Sequence, residues 1–167
     1  MLIRTEEPKD WPAVHAVNVS AFETPAEANL VDMLRNEAYP VVSLVAEYNE
    51  AVVGHIMLSP VSLSSHAGLK IMGIGPMSVA PEHQRKDIGS ALGRVGLERC
   101  NQLGFGAVVV LGHHGHYPRF GFLPSIRFGI GCEYKGPEKV FMVMGLQPGY
   151  LRNATGTIKY HAAFSNV

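Results

Sequence analysis

Residues 77–92, MSVAPEHQRKDIGSAL, constrain this chain more than any other stretch. The segment starts with strand-like alternation, Met77 and Val79 on one face and Ser78 on the other. It ends with helical spacing, placing Ile88, Ala91, Leu92 and Val95 on one side. Between the two lies a polar loop, residues 83–87, that carries Arg85 and Lys86. The first N–H groups of a helix have no internal partner, and the dipole is positive there. A strand that runs through a basic loop into a helix is therefore suited to receive an anion. Gly89 in the first turn omits a side chain where a phosphate would press on the backbone. The same spacing also fits an ordinary strand–turn–helix.

The rest of the composition narrows the class. A length of 167 residues suits one domain, residues 1–167, with a real core. With 47% apolar and 17% charged residues the chain reads as globular rather than disordered. Its formal net charge is zero, so no bulk attraction to nucleic acid or membrane is expected. Cys100 and Cys132 form neither a metal spacing nor a disulfide framework and read as reduced thiols. The start MLIRTEEPKDW lacks an apolar core of signal length, and no window approaches a membrane span. A cytoplasmic location is the expectation.

Taken in order, residues 2–6 read as a first strand. Asp10 precedes a helix with Pro12 in its first turn and an apolar face of Val14, Val17, Ala21 and Phe22. Thr24-Pro25-Ala26-Glu27 has the form of a capping box opening a second helix, with Ala26, Leu30, Met33 and Leu34 inward and Pro40 beyond its end. Residues 42–48 and 51–58 form a hairpin turned at Asn49-Glu50, followed by a loop or strand extension over residues 59–69. Residues 70–79 return as a strand, but Gly73, Gly75 and Pro76 interrupt it. Proline donates nothing to a ladder, so this strand should be bulged or locally unpaired there; an edge or turn is the other reading.

A helix from Ile88 to about Leu103, stopped by Gly104, leads to the apolar run of residues 107–111, AVVVL. Strand, helix and strand at this spacing form a right-handed unit with parallel strands. Gly93 and Gly96 weaken the helix by roughly 1 kcal/mol each relative to alanine, which would be repaid by close packing on the sheet. Residues 126–131 and 139–146 are the final candidate strands, and residues 156–167 form the tail.

Val79, Pro81, Gln84, Asp87 and Gly89 resemble motif A of the GNAT superfamily of N-acetyltransferases, V-x-P-x-x-Q/R-x-x-G-x-G/A, departing from it only at Asp87. A second match follows the AVVVL strand: Tyr117 stands four residues before Gly121-Phe122, as in the family's Y-x-x-x-G-F. The run LGH…YPRFGF and the tail are similar to the YhbS-like bacterial branch over nearly the whole chain. The resemblance implies an acyl-CoA N-acyltransferase fold of mixed α/β type. Its sheet would be twisted and mostly antiparallel, with one parallel, splayed strand pair and helices on both faces. It implies transfer of an acetyl group from acetyl-CoA to a primary amine on a small molecule or protein, by a monomer or homodimer. The donor would contact Met77, Ser78, Val79, Gln84, Arg85, Lys86, Asp87, Ile88, Gly89 and Ser90. Polyamine, small amine, peptide N-terminus, lysine and tRNA-linked amine all remain open as acceptors.

Tyr117 is the catalytic candidate. Amine attack on a thioester expels a thiolate, and a phenol of pKa about 10 can protonate it from roughly 3 Å. A packing role is the other reading of that ring. A general base is not evident: residues 70–79 hold no acid. Glu27 is a substitute that its place in the capping box already explains, and Glu23, His116 or a water relay are no better supported. His113, His114 and His116 have the look of metal spacing but lack a carboxylate or thiolate partner, so a polar lip to the site is expected and no metal. Asp87 is expected to cap the helix with its carboxylate, occupying amides that a pyrophosphate needs. That departure and the missing base favour a rival class, a non-catalytic CoA-binding or interaction module; Tyr117, Gln84 and Gly89 oppose it.

Overall fold

The structure is a computed structural model that describes residues 1–113, 115–134 and 140–166. Strands β1 (Leu2–Thr5), β2 (Val42–Tyr48), β3 (Ala51–Leu63), β4 (Ile71–Val79), β5 (Ala107–Gly112), β6 (Leu123–Pro124), β7 (Ile130–Cys132), β8 (Val140–Gly145) and β9 (Gly156–Lys159) accompany helices α1 (Trp11–Ala21), α2 (Ala26–Glu37) and α3 (Ile88–Gln102). The main sheet runs β1-β2-β3-β4-β5-β8-β6, and the far end of β3 pairs with β9, which carries β7. Among the described residues of the main sheet only β4 and β5 are parallel, as the connection through α3 requires.

Alternation along the central strands divides the core. Leu44, Ile56 and Leu58 share one buried cluster with Leu92 and Leu97 of α3. Val45 and Met57, their strand neighbours, point the other way and pack with Val14 of α1 and with Leu30, Val31 and Leu34 of α2. Glycines bring α3 close to the sheet: a Cβ on Gly96 would stand 3.0 Å from the Leu58 side chain, and one on Gly54 3.1 Å from Ile88. The weakened helicity at Gly96 thus meets a packing need.

The hairpin turns at Asn49 and Glu50, both left-handed, and residues 59–63 continue β3. Several local expectations are corrected. Asp10 sits at the α1 N-cap position without a side-chain capping bond. Its carboxylate instead accepts the Glu7 N–H at 2.7 Å and the Arg4 guanidinium at 2.7 and 3.0 Å, and that hydrogen bonding from Arg4 holds it down at about 2. The capping box of α2 does not close. Pro25 takes the N-cap position with no side-chain capping bond, and the Thr24 hydroxyl reaches only the Ala26 N–H, at 3.3 Å. The buried face of α2 is Ala28, Leu30, Val31 and Leu34, while Ala26 and Met33 are half-buried. Residues 126–131 are not one strand: a 3-10 turn, Ser125–Phe128, is ended by left-handed Gly129 and leaves Ile126 exposed before the short β7. His114, Lys139 and Val167, which fall within the sequence features above, lie outside the described residues.

Candidate active site

The sheet opens at one place. β4 and β5 are paired from Ile71 with Ala107 to Ile74 with Val110, and there their pairing stops. Beyond it β4 stays with β3, through Met77 on Ile56, Ser78 on His55 and Val79 on Gly54. β5 stays with β8, through Leu111 on Phe141 and Gly112 on Val140. At the divergence β4 spends two residues, Gly75 and Pro76, where β3 spends one, Met57. This is the bulge expected from proline inside a strand. Gly75 has φ of +148°, a region that side chains rarely adopt. Backbone groups of residues 75–79 on the β5 side are left without a ladder partner among the described residues.

The loop into α3 stands at the same end of β4. Arg85 and Asp87 both take left-handed backbone, φ of 64° and 62°. Asp87 is the N-cap residue by position, and its carbonyl accepts the Ala91 N–H at 3.0 Å. Its carboxylate makes no capping bond, contrary to expectation. A side-chain cap needs extended backbone at the N-cap, and the left-handed angle turns the carboxylate out of reach of the first-turn N–H groups. The same angle accounts for glycine at this place in the motif. Gln84 donates to the Val79 carbonyl at 3.1 Å, tying the loop to the end of the strand.

The sequence candidates separate by face. A Cβ on Gly89 would lie 3.6 Å from Met77 and 4.0 Å from Val79, ordinary contact distances, so Met77 and Val79 face α3 and the protein itself does not demand glycine at residue 89. Ser78 points to the opposite side, buried, with its hydroxyl unpartnered among the described residues. The Ile88 side chain belongs to the core, leaving only its N–H for a ligand. Ser90 is buried and accepts the Arg119 guanidinium at 3.2 Å. Arg119 therefore adds a cation at the start of α3 that local sequence spacing did not point to. With exposed Arg85 and Lys86 it offsets the exposed Asp87 carboxylate.

Tyr117 opens the 3-10 turn Tyr117–Phe120 just past β5. Its ring packs edge-on against Phe122, centroids 5.8 Å apart, and crosses the end of β5, where a Cβ on Gly112 would overlap it. Burial pushes its phenol up to about 12, so it stays protonated at neutral pH. Two contacts dock the turn on α3: Arg119 on Ser90, and Phe120 against Gly93, where a Cβ would come within 2.9 Å of the Phe120 ring.

His116 is wedged edge-on against Tyr117 at 4.8 Å and Phe120 at 5.4 Å rather than standing at a lip. Burial, helped by Arg119, lowers its pKa. Among the described residues no three histidine, cysteine or carboxylate side chains could together hold a metal ion. A cavity of about 550 Å³ lies along α1 and the β2–β3 turn and reaches Ala80 and Glu82, just past β4. Its Arg4 is already satisfied by Asp10 and Glu47, at 2.7 and 2.9 Å. A second cavity, of about 390 Å³, runs along Ala26, Leu30 and Met33 of α2 to Ala163.

A sheet opened between its parallel strands, with a helix N-terminus at the opening and a tyrosine at its rim, is the architecture of an acyltransferase. The model of the acetyltransferase (GNAT) family matches residues 4–122. The chain is 35% identical over 166 residues to the uncharacterized N-acetyltransferase YhbS of Escherichia coli K12, covering 99% of each chain. It superposes on the crystal structure of Escherichia coli YhbS in complex with CoA with a TM-score of 0.91 and 34% identity, covering 98% of this chain and 91% of that one. A Brucella melitensis GNAT acetyltransferase in complex with acetyl-CoA gives a TM-score of 0.78 at 34% identity, covering 98% and 97%. The chain belongs to the GNAT acetyltransferase family: it is an N-acetyltransferase with acetyl-CoA as its acetyl donor. Among the described residues no helix is long and apolar enough to cross a membrane.

Proposed function

We propose that residues 1–167 act as one catalytic unit that moves the acetyl group of acetyl-CoA onto a primary amine in the gap between β4 and β5. The observation that carries this reading is the parting of the two strands after Ile74 and Val110, beside the uncapped first turn of α3. The N–H groups of Ile88, Gly89 and Ser90 and the loop Gln84–Arg85–Lys86–Asp87 hold the pyrophosphate. Arg119 adds charge from the facing turn. The free edge of Met77, Ser78 and Val79 takes the pantetheine through its backbone, since the Ser78 side chain faces away. Acetyl-CoA supplies an activated thioester, whose carbonyl oxygen gains negative charge as the amine adds. Backbone N–H groups at the bulge stabilise that charge. Tyr117, kept protonated by burial, delivers its proton to the departing sulfur. Gly89 supports the placement, because packing within the protein does not require a glycine there while a close phosphate does. The non-catalytic rival loses one support, since the Asp87 carboxylate leaves the loop amides uncapped.

The test is a panel of amine acceptors scored by thiol release, beside calorimetry and amide NMR with CoA. CoA-induced shifts should centre on residues 77–79 and 84–90. Shifts confined to the C-terminal strands would remove this site.

A further inference from the structure

Glu27 stands in the first turn of α2, and one of its carboxylate oxygens is buried without a hydrogen-bond partner among the described residues. The capping box that would explain an acid at this position is not formed. No cation among the described residues pairs with it. Burying a carboxylate oxygen with nothing to bond is unfavourable, and natural structures rarely retain such a group unless something arrives to satisfy it.

Its position tells what could arrive. Glu27 continues the stripe of Val31 and Leu34, both fully buried and turned to the sheet. α2 packs on β4 and on the C-terminal 3-10 turn, Ala162–Asn166. From that turn the Phe164 ring lies 3.8 Å from the Cβ position of Gly75, in the bulge itself. The carboxylate thus belongs to the layer that covers the bulge from the side opposite α3. Along the neighbouring stripe of the same helix, the cavity at Ala26, Leu30 and Met33 has room for a carbon chain.

We propose that Glu27 is the carboxylate that receives the acceptor's ammonium group and takes its proton, so that the acceptor is a cationic primary amine entering from the α2 side of the β4 bulge. This rests on the acetyl-transfer reading above. The ammonium nitrogen gives one proton to Glu27, and the freed lone pair forms the N–C bond to the thioester carbonyl carbon. The C–S bond breaks with its electron pair on sulfur, which takes the Tyr117 proton. The nitrogen's surplus proton returns to the tyrosinate, and the proton on Glu27 leaves to solvent. Glu23 is exposed, and His116 is packed against Tyr117 with a lowered pKa, so neither competes for this step.

The experiment compares Glu27→Gln with wild type on butylamine, an ammonium ion at neutral pH, and on 2,2,2-trifluoroethylamine, a primary amine that is largely uncharged there. CoA affinity and melting temperature are measured alongside, and the Glu27 carboxyl carbon is followed by NMR during butylamine titration. The expected result is a fall in kcat/KM for butylamine of about 10²-fold. Trifluoroethylamine should be much less affected, CoA affinity and melting temperature should be unchanged, and the wild-type carboxyl resonance should shift with butylamine. Equal loss on both amines, wild-type rates on butylamine, or a carboxyl resonance indifferent to butylamine would each overturn the assignment. Failure of wild type to bind CoA would instead bring down the underlying reading, and this role with it.

Discussion

The ring of Tyr117 occupies the space that a side chain on Gly112 would need. The last residue of β5 is therefore what allows the phenol to lie across the strand end, at the mouth of the gap. Gly112→Ala should displace the ring. Turnover should fall at least tenfold, while CoA affinity, which the proposed site assigns to the loop before α3, stays within about twofold. Steady-state kinetics and calorimetry on one preparation check this; full activity would mean that the ring can reach the sulfur from elsewhere.

Tyr117→Phe removes the proposed proton donor and keeps the packing against Phe122. Turnover should drop by about 10²–10⁴-fold with CoA binding nearly unchanged. The raised pKa also leaves a stability signature. The phenol's ordinary pKa is 10 and its folded value about 12, so its contribution is complete below pH 10 and is lost as pH rises toward 12. Wild type should lose more stability than Tyr117→Phe between pH 9 and 11.5 in denaturant titrations.

Asp87→Gly should bind CoA more tightly, by about two- to fivefold at low salt. It removes a like charge from the loop proposed to hold the pyrophosphate; that charge is exposed, so water and salt screen it, and the gain should shrink at high salt. The unfolding temperature should hardly move. Relief of left-handed backbone, roughly 1 kcal/mol, is offset by the greater freedom of glycine in the unfolded chain, about 0.4–1 kcal/mol. Calorimetric titrations at two salt concentrations test it; unchanged affinity would place the carboxylate away from the phosphates.

His55 is fully buried on β3, with Nδ1 3.3 Å from the Asn18 amide and Nε2 2.9 Å from the Ser43 hydroxyl. Burial holds it down to about 4, with Glu6 opposing and Arg35 assisting. Its stabilising contribution is complete above the unfolded value of 6.5 and is lost as pH falls toward 4. At 1.36 kcal/mol per pKa unit the protein should lose on the order of 2 kcal/mol between pH 7 and pH 4.5. Chemical denaturation across that range should show the slope, and His55→Gln should flatten it.

Much of the candidate site was legible because its parts are contiguous in the chain. Residues 77–92 carry strand period, basic loop and helix period in one run, and Gly75-Pro76 announces a break in pairing by removing a donor. Tyr117 stood out through its spacing to Gly121-Phe122. The misreadings lie where a local motif had two uses for one side chain. Asp10 spends its carboxylate on Arg4 and Glu7 instead of α1, and Glu27 leaves its box open.

The sequence by itself determined the parallel strand–helix–strand unit, the bulged strand and the basic loop that enters α3, because periodicity and backbone chemistry act over a few neighbouring residues. Only the tertiary structure decided which way the Asp87 carboxylate turns, that Arg119 reaches Ser90 from 29 residues away, that Gly112 makes room for Tyr117 and that one Glu27 carboxylate oxygen is left without a partner among the described residues. Those outcomes depend on distances between elements, which the packing of both helical layers on one twisted sheet sets and which no local pattern encodes.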